Sequence, residues 1–184
     1  MSAAWLLLSA AVSLPLPQLP DRECTEVPFV QTRDLPALDA PLTLAGHLRL
    51  GRGNTFVWQV SEPYAYRYEV RQDRVTEILP DGARRETPLS EVPGVAVTSE
   101  LFGALVRGRV APLRRYFSIA DRSIGTGPRR LELEPDGAPM DALLERVRVE
   151  YTERLQVLVI EATAGSRSRI EFGAPAACGA AEAA

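Results

Sequence analysis

Residues 42–60, LTLAGHLRLGRGNTFVWQV, contain two runs of alternating apolar and polar side chains joined by a glycine-rich connection. In the first run the leucines share one face, because successive side chains of an extended chain point in opposite directions. In the second run Phe56, Trp58 and Val60 do the same. Residues 51–54, Gly-Arg-Gly-Asn, have the composition of a tight turn. The stretch therefore predicts two antiparallel strands that share an apolar face.

The same period of two continues along most of the chain. After Pro63, the next strand places Tyr66, Tyr68 and Val70 on one face, which gives that face a row of aromatic rings. Residues 155–160 are apolar on both faces, which indicates a strand covered on both sides. Further strands are predicted at 75–79, 84–88, 115–121, 129–134, 147–151 and 167–172. This pattern favours an antiparallel, mainly β fold.

Residues 98–108 change the period and predict an amphipathic helix. Apolar side chains recur at helical spacing, a Ser or Thr begins the segment and Gly108 ends it. A shorter helix is predicted from Met140 to Glu145. One sheet with these helices suggests a curved sheet whose concave face is capped by helices and encloses an apolar space.

Composition excludes several classes of function. The chain has 21 basic and 24 acidic residues, a net charge of −3, and no window basic enough to follow a phosphate backbone, so we expect no nucleic-acid partner. One His and two Cys cannot form a clustered zinc site, and we expect neither a metal nor a cofactor. His47 lies on a polar strand face without an acidic neighbour in its motif, so we expect no catalytic residue and no enzyme.

The N-terminal segment resembles an export signal. Residues 1–13, MSAAWLLLSAAVS, form an apolar run too short to span a bilayer and are predicted to be a signal peptide, with a membrane anchor as the alternative. A Pro-rich linker is expected over 14–23, a single domain over 24–178 and a disordered tail over 179–184. Export would place the protein in the periplasm.

The two cysteines, Cys24 and Cys178, bracket nearly the whole expected domain. An exported chain with two thiols commonly oxidises them to each other, so we predict a disulfide bond between them. Two unrelated thiols are the alternative.

An ordered set of residues resembles a known family. The sequence carries F-x-Q at residues 29–31, followed by G-x-L-x-x-x-R-x-x-x-F-x-W-x-x-x-x-P. The fixed positions of the second motif are Gly46, Leu48, Arg52, Phe56, Trp58 and Pro63. Together with the downstream order of strands, this pattern over roughly residues 27–172 resembles the periplasmic outer-membrane lipoprotein carrier family LolA.

The resemblance implies an incomplete antiparallel β-barrel with a helical lid over an apolar cavity. It also implies a carrier that takes acyl chains of lipoprotein or other lipid-linked cargo from an inner-membrane donor transporter to an outer-membrane acceptor. A carrier that hands over cargo needs no self-association, so we expect a monomer. The Arg corresponding to Arg52 hydrogen-bonds the lid in the family, which makes Arg52 the expected latch, although Gly53 replaces the family's following Pro. The expected cavity-lining residues are Leu48, Phe56, Trp58, Tyr66, Tyr68, Leu101, Leu105, Val157 and Val159.

Two alternatives remain open at the level of sequence. Ordinary core packing predicts the same apolar pattern as a cavity wall, so the lining residues could instead fill a solid core. Related folds also act as periplasmic sensors that bind lipidated ligands and control a membrane partner. The cargo itself is not specified by the sequence.

Overall fold

The computed structural model describes Leu16, residues 23–52 and residues 55–179. Within these residues the chain forms twelve strands and one α-helix, α1 (Pro93–Val106), with short 3-10 helices at Leu89–Glu91 and Ala111–Arg115. The strands are β1 (Cys24–Asp34), β2 (Leu42–Gly51), β3 (Phe56–Glu62), β4 (Tyr66–Arg71), β5 (Arg74–Ile78), β6 (Arg84–Pro88), β7 (Phe117–Asp121), β8 (Arg129–Pro135), β9 (Leu144–Tyr151), β10 (Leu155–Ala162), β11 (Arg167–Phe172) and β12 (Ala176–Ala177).

All strand pairs are antiparallel and belong to one sheet. Its order is β6-β5-β4-β3-β2-β1-β11-β10-β9-β8-β7, with β12 paired to β1 beside this path. The sheet is not closed into a barrel, since β6 and β7 form its two edges in the described part of the chain. The predicted mainly β fold, an incomplete barrel with a helix over it, is confirmed.

The register fixes which side chains share the concave face. Leu48 pairs with both Val27 and Trp58, and Trp58 pairs with Tyr68, so this row of apolar side chains crosses four strands on one side of the sheet. Helix α1 packs on that side, where its Leu101 and Leu105 join the buried core. Burial of this face is the main stabilising contribution to the fold.

Helix α1 is longer than the sequence predicted at its N-terminus. It begins at Pro93 rather than Thr98, with Pro in the first turn and no side-chain cap. Pro is favoured there because its missing N–H has no helical partner at that position. The predicted end is close to the observed one, since Gly108 has a φ of 70° and follows the last helical turn.

The short helix predicted from Met140 to Glu145 is wrong. Residues 138–143 form successive hydrogen-bonded turns, and β9 begins at Leu144. The amides of Met140 and Asp141 both donate to the carbonyl of Gly137, but the turns do not propagate into a helix. Propagation is needed because a single turn fixes many dihedrals for few hydrogen bonds.

Most residues of the predicted signal peptide, linker and tail lie outside the described part of the chain. The predicted signal peptide, residues 1–13, lies outside the described residues, as does the tail apart from Gly179. Leu16, within the expected linker, is buried in the core. Residues just before Cys178 are ordered, because β12 pairs with the first residues of β1. No helix of the described residues is long and apolar enough to cross a membrane.

Candidate functional site

A cavity of about 760 Å³ lies between helix α1 and the concave face of the sheet. This volume is within the range of small-molecule sites, roughly 300–1,000 Å³. The helix contributes residues of its N-terminal half, and the sheet contributes side chains of β1, β3, β4, β10 and β11. The lining is mostly apolar and consists of Gln31, Arg33, Phe56, Trp58, Tyr66, Tyr68, Val92, Pro93, Gly94, Val95, Thr98, Ser99, Phe102, Pro139, Ala142, Leu143, Ile160, Ser168 and Ile170.

Aromatic rings form the floor of the cavity. Trp58 stacks on Phe29 with ring centroids 3.8 Å apart. Phe102 of helix α1 reaches the same group, with its centroid 5.1 Å from that of Trp58 and 5.9 Å from that of Phe56. Phe102 also meets Phe172 edge-on at 6.4 Å. These contacts place a helical side chain directly on the wall that an apolar ligand would cover.

Tyr66 and Tyr68 line a further part of the wall. The Tyr66 hydroxyl donates to a carboxylate oxygen of Glu77 across 3.4 Å. Burial, followed by the nearby Glu77 charge, raises the pKa of both phenols to about 12. Both rings therefore remain neutral at physiological pH and can contact an apolar chain.

The nine expected lining residues divide into three groups. Phe56, Trp58, Tyr66 and Tyr68 line the cavity. The other five do not lie among the residues that line it.

Leu48, Leu101 and Leu105 are at most 1% exposed and belong to the solid core beneath the helix. Val157 and Val159 lie on the opposite face of the sheet. They pair with Glu171 and Arg169 of β11, and these two residues point away from the cavity because Ile170, between them, lines it. Strand β10 is apolar on both faces, so alternation alone does not identify the inward side. Ile160 is the β10 residue that lines the cavity.

Phe102, Ile160 and Arg33 were missed as site residues. Phe102 carries a sequence signal, since its helical spacing places it next to the Leu101 face. Arg33 lies two residues after the F-x-Q motif at residues 29–31, but a charged residue on an apolar face gives no alternation signal.

The expected latch, Arg52, contacts another partner. Its guanidinium is 77% exposed and pairs with Glu23 across 2.6 Å. The β2–β3 connection is joined to the helix by Arg107 instead. Nη2 of Arg107 donates a hydrogen bond to the Gly51 carbonyl oxygen across 3.2 Å. The role of Arg52 in lid movement stays a prediction.

A second cleft of about 740 Å³ lies on the other side of helix α1 and is more polar. Phe56 and Ser99 line both spaces, so the helix separates them. Arg115 and Glu100 form an ion pair within it, and Tyr116 donates to the same carboxylate across 3.4 Å. Glu100 is therefore held by two neighbouring side chains.

Cys24 and Cys178 form a disulfide bond, with Cα atoms 5.4 Å apart. The bond joins the start of β1 to the residue that follows β12. This is the pairing that the sequence predicted, and it closes nearly the whole domain into one loop.

His47 is not among the described residues that line the cavity. His47 is half-exposed on the convex side, 4.0 Å from Glu26. Within residues 23–52 and 55–179, no three His, Cys, Asp or Glu side chains are grouped so as to hold a metal ion.

The sequence matches a protein-family model described as outer membrane lipoprotein carrier protein LolA-like over residues 9–183. The chain belongs to this LolA-like family. The match extends over the helix, the cavity wall and both cysteines, so the resemblance predicted from the motif is confirmed. No curated protein sequence matches the chain.

Solved structures similar to this LolA-like chain include a LolA superfamily protein from Nitrosomonas europaea, at 12% identity and a TM-score of 0.47, covering 89% of each chain. An outer membrane lipoprotein-sorting protein domain from Vibrio parahaemolyticus is similar at 7% identity and a TM-score of 0.47, covering 85% of this chain and 86% of that one. A DUF1329 family protein from Desulfovibrio piger is similar at 10% identity and a TM-score of 0.32, covering 84% of this chain and 85% of that one.

Proposed function

We propose that this protein is a non-enzymatic periplasmic carrier that binds acyl chains in the cavity under helix α1 and delivers lipid-linked cargo towards the outer membrane. The observation that carries the proposal is the apolar, aromatic-walled cavity of about 760 Å³ in a LolA-like chain. The disulfide supports the proposed compartment, because such bonds persist in oxidising environments.

A carrier must hold an acyl chain without trapping it. Each buried CH₂ contributes about 0.8 kcal/mol, so a fully enclosed chain of ordinary lipid length would dissociate too slowly for delivery. Phe102 provides an intramolecular competitor, since its ring contacts Trp58 and Phe56, which line the cavity. Cargo has to displace these ring contacts, which lowers its net affinity.

The attachment of helix α1 indicates which end would move. Its C-terminal half is held by buried Leu101 and Leu105 and by the hydrogen bond from the Tyr151 hydroxyl to the Leu105 carbonyl, 2.5 Å. Its N-terminal residues Val92 and Val95 are only partly buried and line the cavity. Entry of cargo would therefore displace the first turns of the helix, whereas Phe102, which follows Leu101 in the held half, would give up its ring contacts by rotation of its side chain.

Transfer between vesicles tests this function. Donor vesicles carrying a fluorescent lysophospholipid are mixed with unlabelled acceptor vesicles, and the transfer rate is measured against protein concentration. The proposal expects a rate that rises with protein, together with stoichiometric binding of the neutral probe N-phenyl-1-naphthylamine. Binding without accelerated transfer would favour a lipid sensor instead, and absence of binding would overturn both functions.

A further inference from the structure

Arg33 is the charged residue among the described residues that line the cavity under helix α1. It lies near the end of β1, where it pairs in register with Leu42 on one side and Ser168 on the other. Gln31 and Ser168 line the cavity beside it. Every other lining residue is apolar or neutral and polar, so Arg33 supplies the formal charge of this wall.

The guanidinium of Arg33 has no protein partner among the described residues. Its Nε is buried and makes no hydrogen bond, a property shared with Arg67, Arg129 and Arg146. Each of those three arginines, however, pairs with a carboxylate of the sheet: Arg67 with Glu69 at 2.9 Å, Arg129 with Asp121 at 2.9 Å and Arg146 with Glu132 at 3.6 Å. Arg33 makes no corresponding ion pair within the described ranges, which leaves a partly desolvated cation facing the cavity.

Glu77, the acidic group beside the tyrosines of the wall, makes no ion pair with Arg33. Glu77 accepts a hydrogen bond from the Tyr66 hydroxyl, and its Oε2 lies 3.9 Å from Nη1 of Arg85. Glu77 does not line the cavity. A buried N–H donor without an acceptor carries a desolvation cost, which a ligand oxygen at this position would remove. The planar guanidinium presents paired donors that match carboxylate and phosphate oxygens.

We propose that Arg33 binds an anionic headgroup, a carboxylate or a phosphate, of an amphiphile whose acyl chain occupies the aromatic part of the cavity. Gln31 and Ser168 supply further polar groups beside that headgroup. This inference rests on the proposed carrier function and adds to it the charge of the cargo. A wall with a cation among its described residues favours an anionic end, because a neutral oxygen would accept a hydrogen bond without compensating the charge of the guanidinium.

Displacement of N-phenyl-1-naphthylamine separates the headgroup from the chain. Dodecanol, dodecanoate and dodecyl phosphate share one chain length and differ at the headgroup. We expect the two anions to displace the probe from the wild-type protein at concentrations about tenfold to a hundredfold below that of dodecanol, the range typical of a charge-assisted hydrogen bond. Preference for the phosphate would point to phospholipid-type cargo, and preference for the carboxylate to fatty-acid-type cargo.

Substitution of Arg33 is the decisive arm. Arg33→Gln is expected to bring the displacing concentrations of all three compounds within about threefold of one another, and Arg33→Lys to retain part of the preference. Arg169→Gln is the matched control, since Arg169 lies on neighbouring β11 but on the opposite face, paired with Glu171 at 2.9 Å. Circular dichroism checks that each variant is folded.

Two results would overturn the inference while leaving the carrier proposal intact. One is equal displacement by dodecanol and the anions in the wild-type protein, and the other is an anionic preference that survives in Arg33→Gln. If neither the probe nor any of the three compounds binds, the carrier proposal fails and the headgroup site fails with it. If Arg33→Gln is unfolded, Arg33→Met takes its place, and an anionic preference that survives in Arg33→Met would overturn the inference.

Discussion

Arg107, directly after the last residue of helix α1, donates a hydrogen bond from Nη2 to the carbonyl oxygen of Gly51 across 3.2 Å. Gly51 is the last residue of β2 and precedes Arg52. The helix is therefore tied to the β2–β3 connection by its own arginine and by a backbone acceptor. The Tyr151 hydroxyl, bonded to the Leu105 carbonyl, holds the same end of the helix to β9.

Replacement of Arg107 should loosen this end of the helix. Arg107→Gln is expected to lower the free energy of unfolding by about 1 kcal/mol, since the lost hydrogen bond is charge-assisted but only partly buried. Hydrogen exchange of the α1 amides should accelerate. Arg52→Gln serves as the comparison and should cost under about 0.5 kcal/mol, because its ion pair with Glu23 is exposed. Equal losses of unfolding free energy in the two variants would mean that the Arg107 hydrogen bond does not attach the helix to the β2–β3 connection.

Trp58 should contribute more to binding than to folding. Trp58→Glu introduces a carboxylate beside Phe29 and Phe102 on the cavity floor. We expect at least about a tenfold loss of affinity for N-phenyl-1-naphthylamine, since burying an unpaired charge against the probe is unfavourable. Urea unfolding measures the accompanying loss of stability. Gln59→Glu, one position along β3 on the convex face, controls for the added charge and should bind normally.

The disulfide should be a large contributor to stability. Substituting both Cys24 and Cys178 with Ser removes a bond that spans 154 positions. We expect a loss of about 2–5 kcal/mol, which corresponds to roughly 5–15 °C in Tm for a domain of this size. Reducing the wild-type protein should lower Tm by a similar amount. A Tm unchanged by reductant would mean that β12 pairing alone secures the C-terminal end.

Gly46 should not tolerate a side chain. A Cβ at this position would lie 1.9 Å from the carbonyl oxygen of Gln59, at the point where the β2–β3 register shifts. Gly46→Ala is therefore expected to cost about 1–3 kcal/mol or more, because the obstructing atom belongs to the backbone. Gly127→Ala is the control, since its nearest neighbour would be 3.6 Å away. Comparable stability of both variants would contradict the close approach.

Alkaline pH should weaken the fold through the tyrosine wall. Burial raises the pKa of Tyr66 and of Tyr68 from 10.0 to about 12, so the folded protein keeps two protons that the unfolded chain releases. Their contribution is complete below pH 10 and is lost as the pH rises to about 12, where the folded protein also ionises. Urea midpoints measured across this window should fall. The double variant Tyr66→Phe and Tyr68→Phe should fall less steeply.

The inward-facing residues of a strand could be predicted from the sequence where the alternation of side chains gave the strand one apolar face. In β3 and β4 the aromatic positions 56, 58, 66 and 68 line the cavity as predicted. The same rule failed in β10, because its two faces are both apolar and only pairing with β11 identifies Ile160 as inward. Pairing between distant strands is not encoded in local periodicity.

Packing of the helix limited the remaining predictions. The spacing of Leu101 and Leu105 indicates a buried face, but not whether that face meets a cavity or solid core. The helix begins at Pro93 without a side-chain cap, whereas the sequence analysis predicted a Ser or Thr at its start. Arg33 was missed because a cation on an inward strand position is unfavourable in a closed core and is informative only once the cavity is known.

The disulfide and Arg33 lie towards opposite ends of one strand. From Cys24 to Arg33, β1 advances nine residues, which at about 3.3 Å per residue separates the two points by roughly 30 Å. A linker attached just past Cys178 would therefore start far from Arg33, which marks the headgroup end of the cavity. Protein immobilised through its C-terminal side on a sensor chip would keep that end accessible to vesicles in the flowing solution.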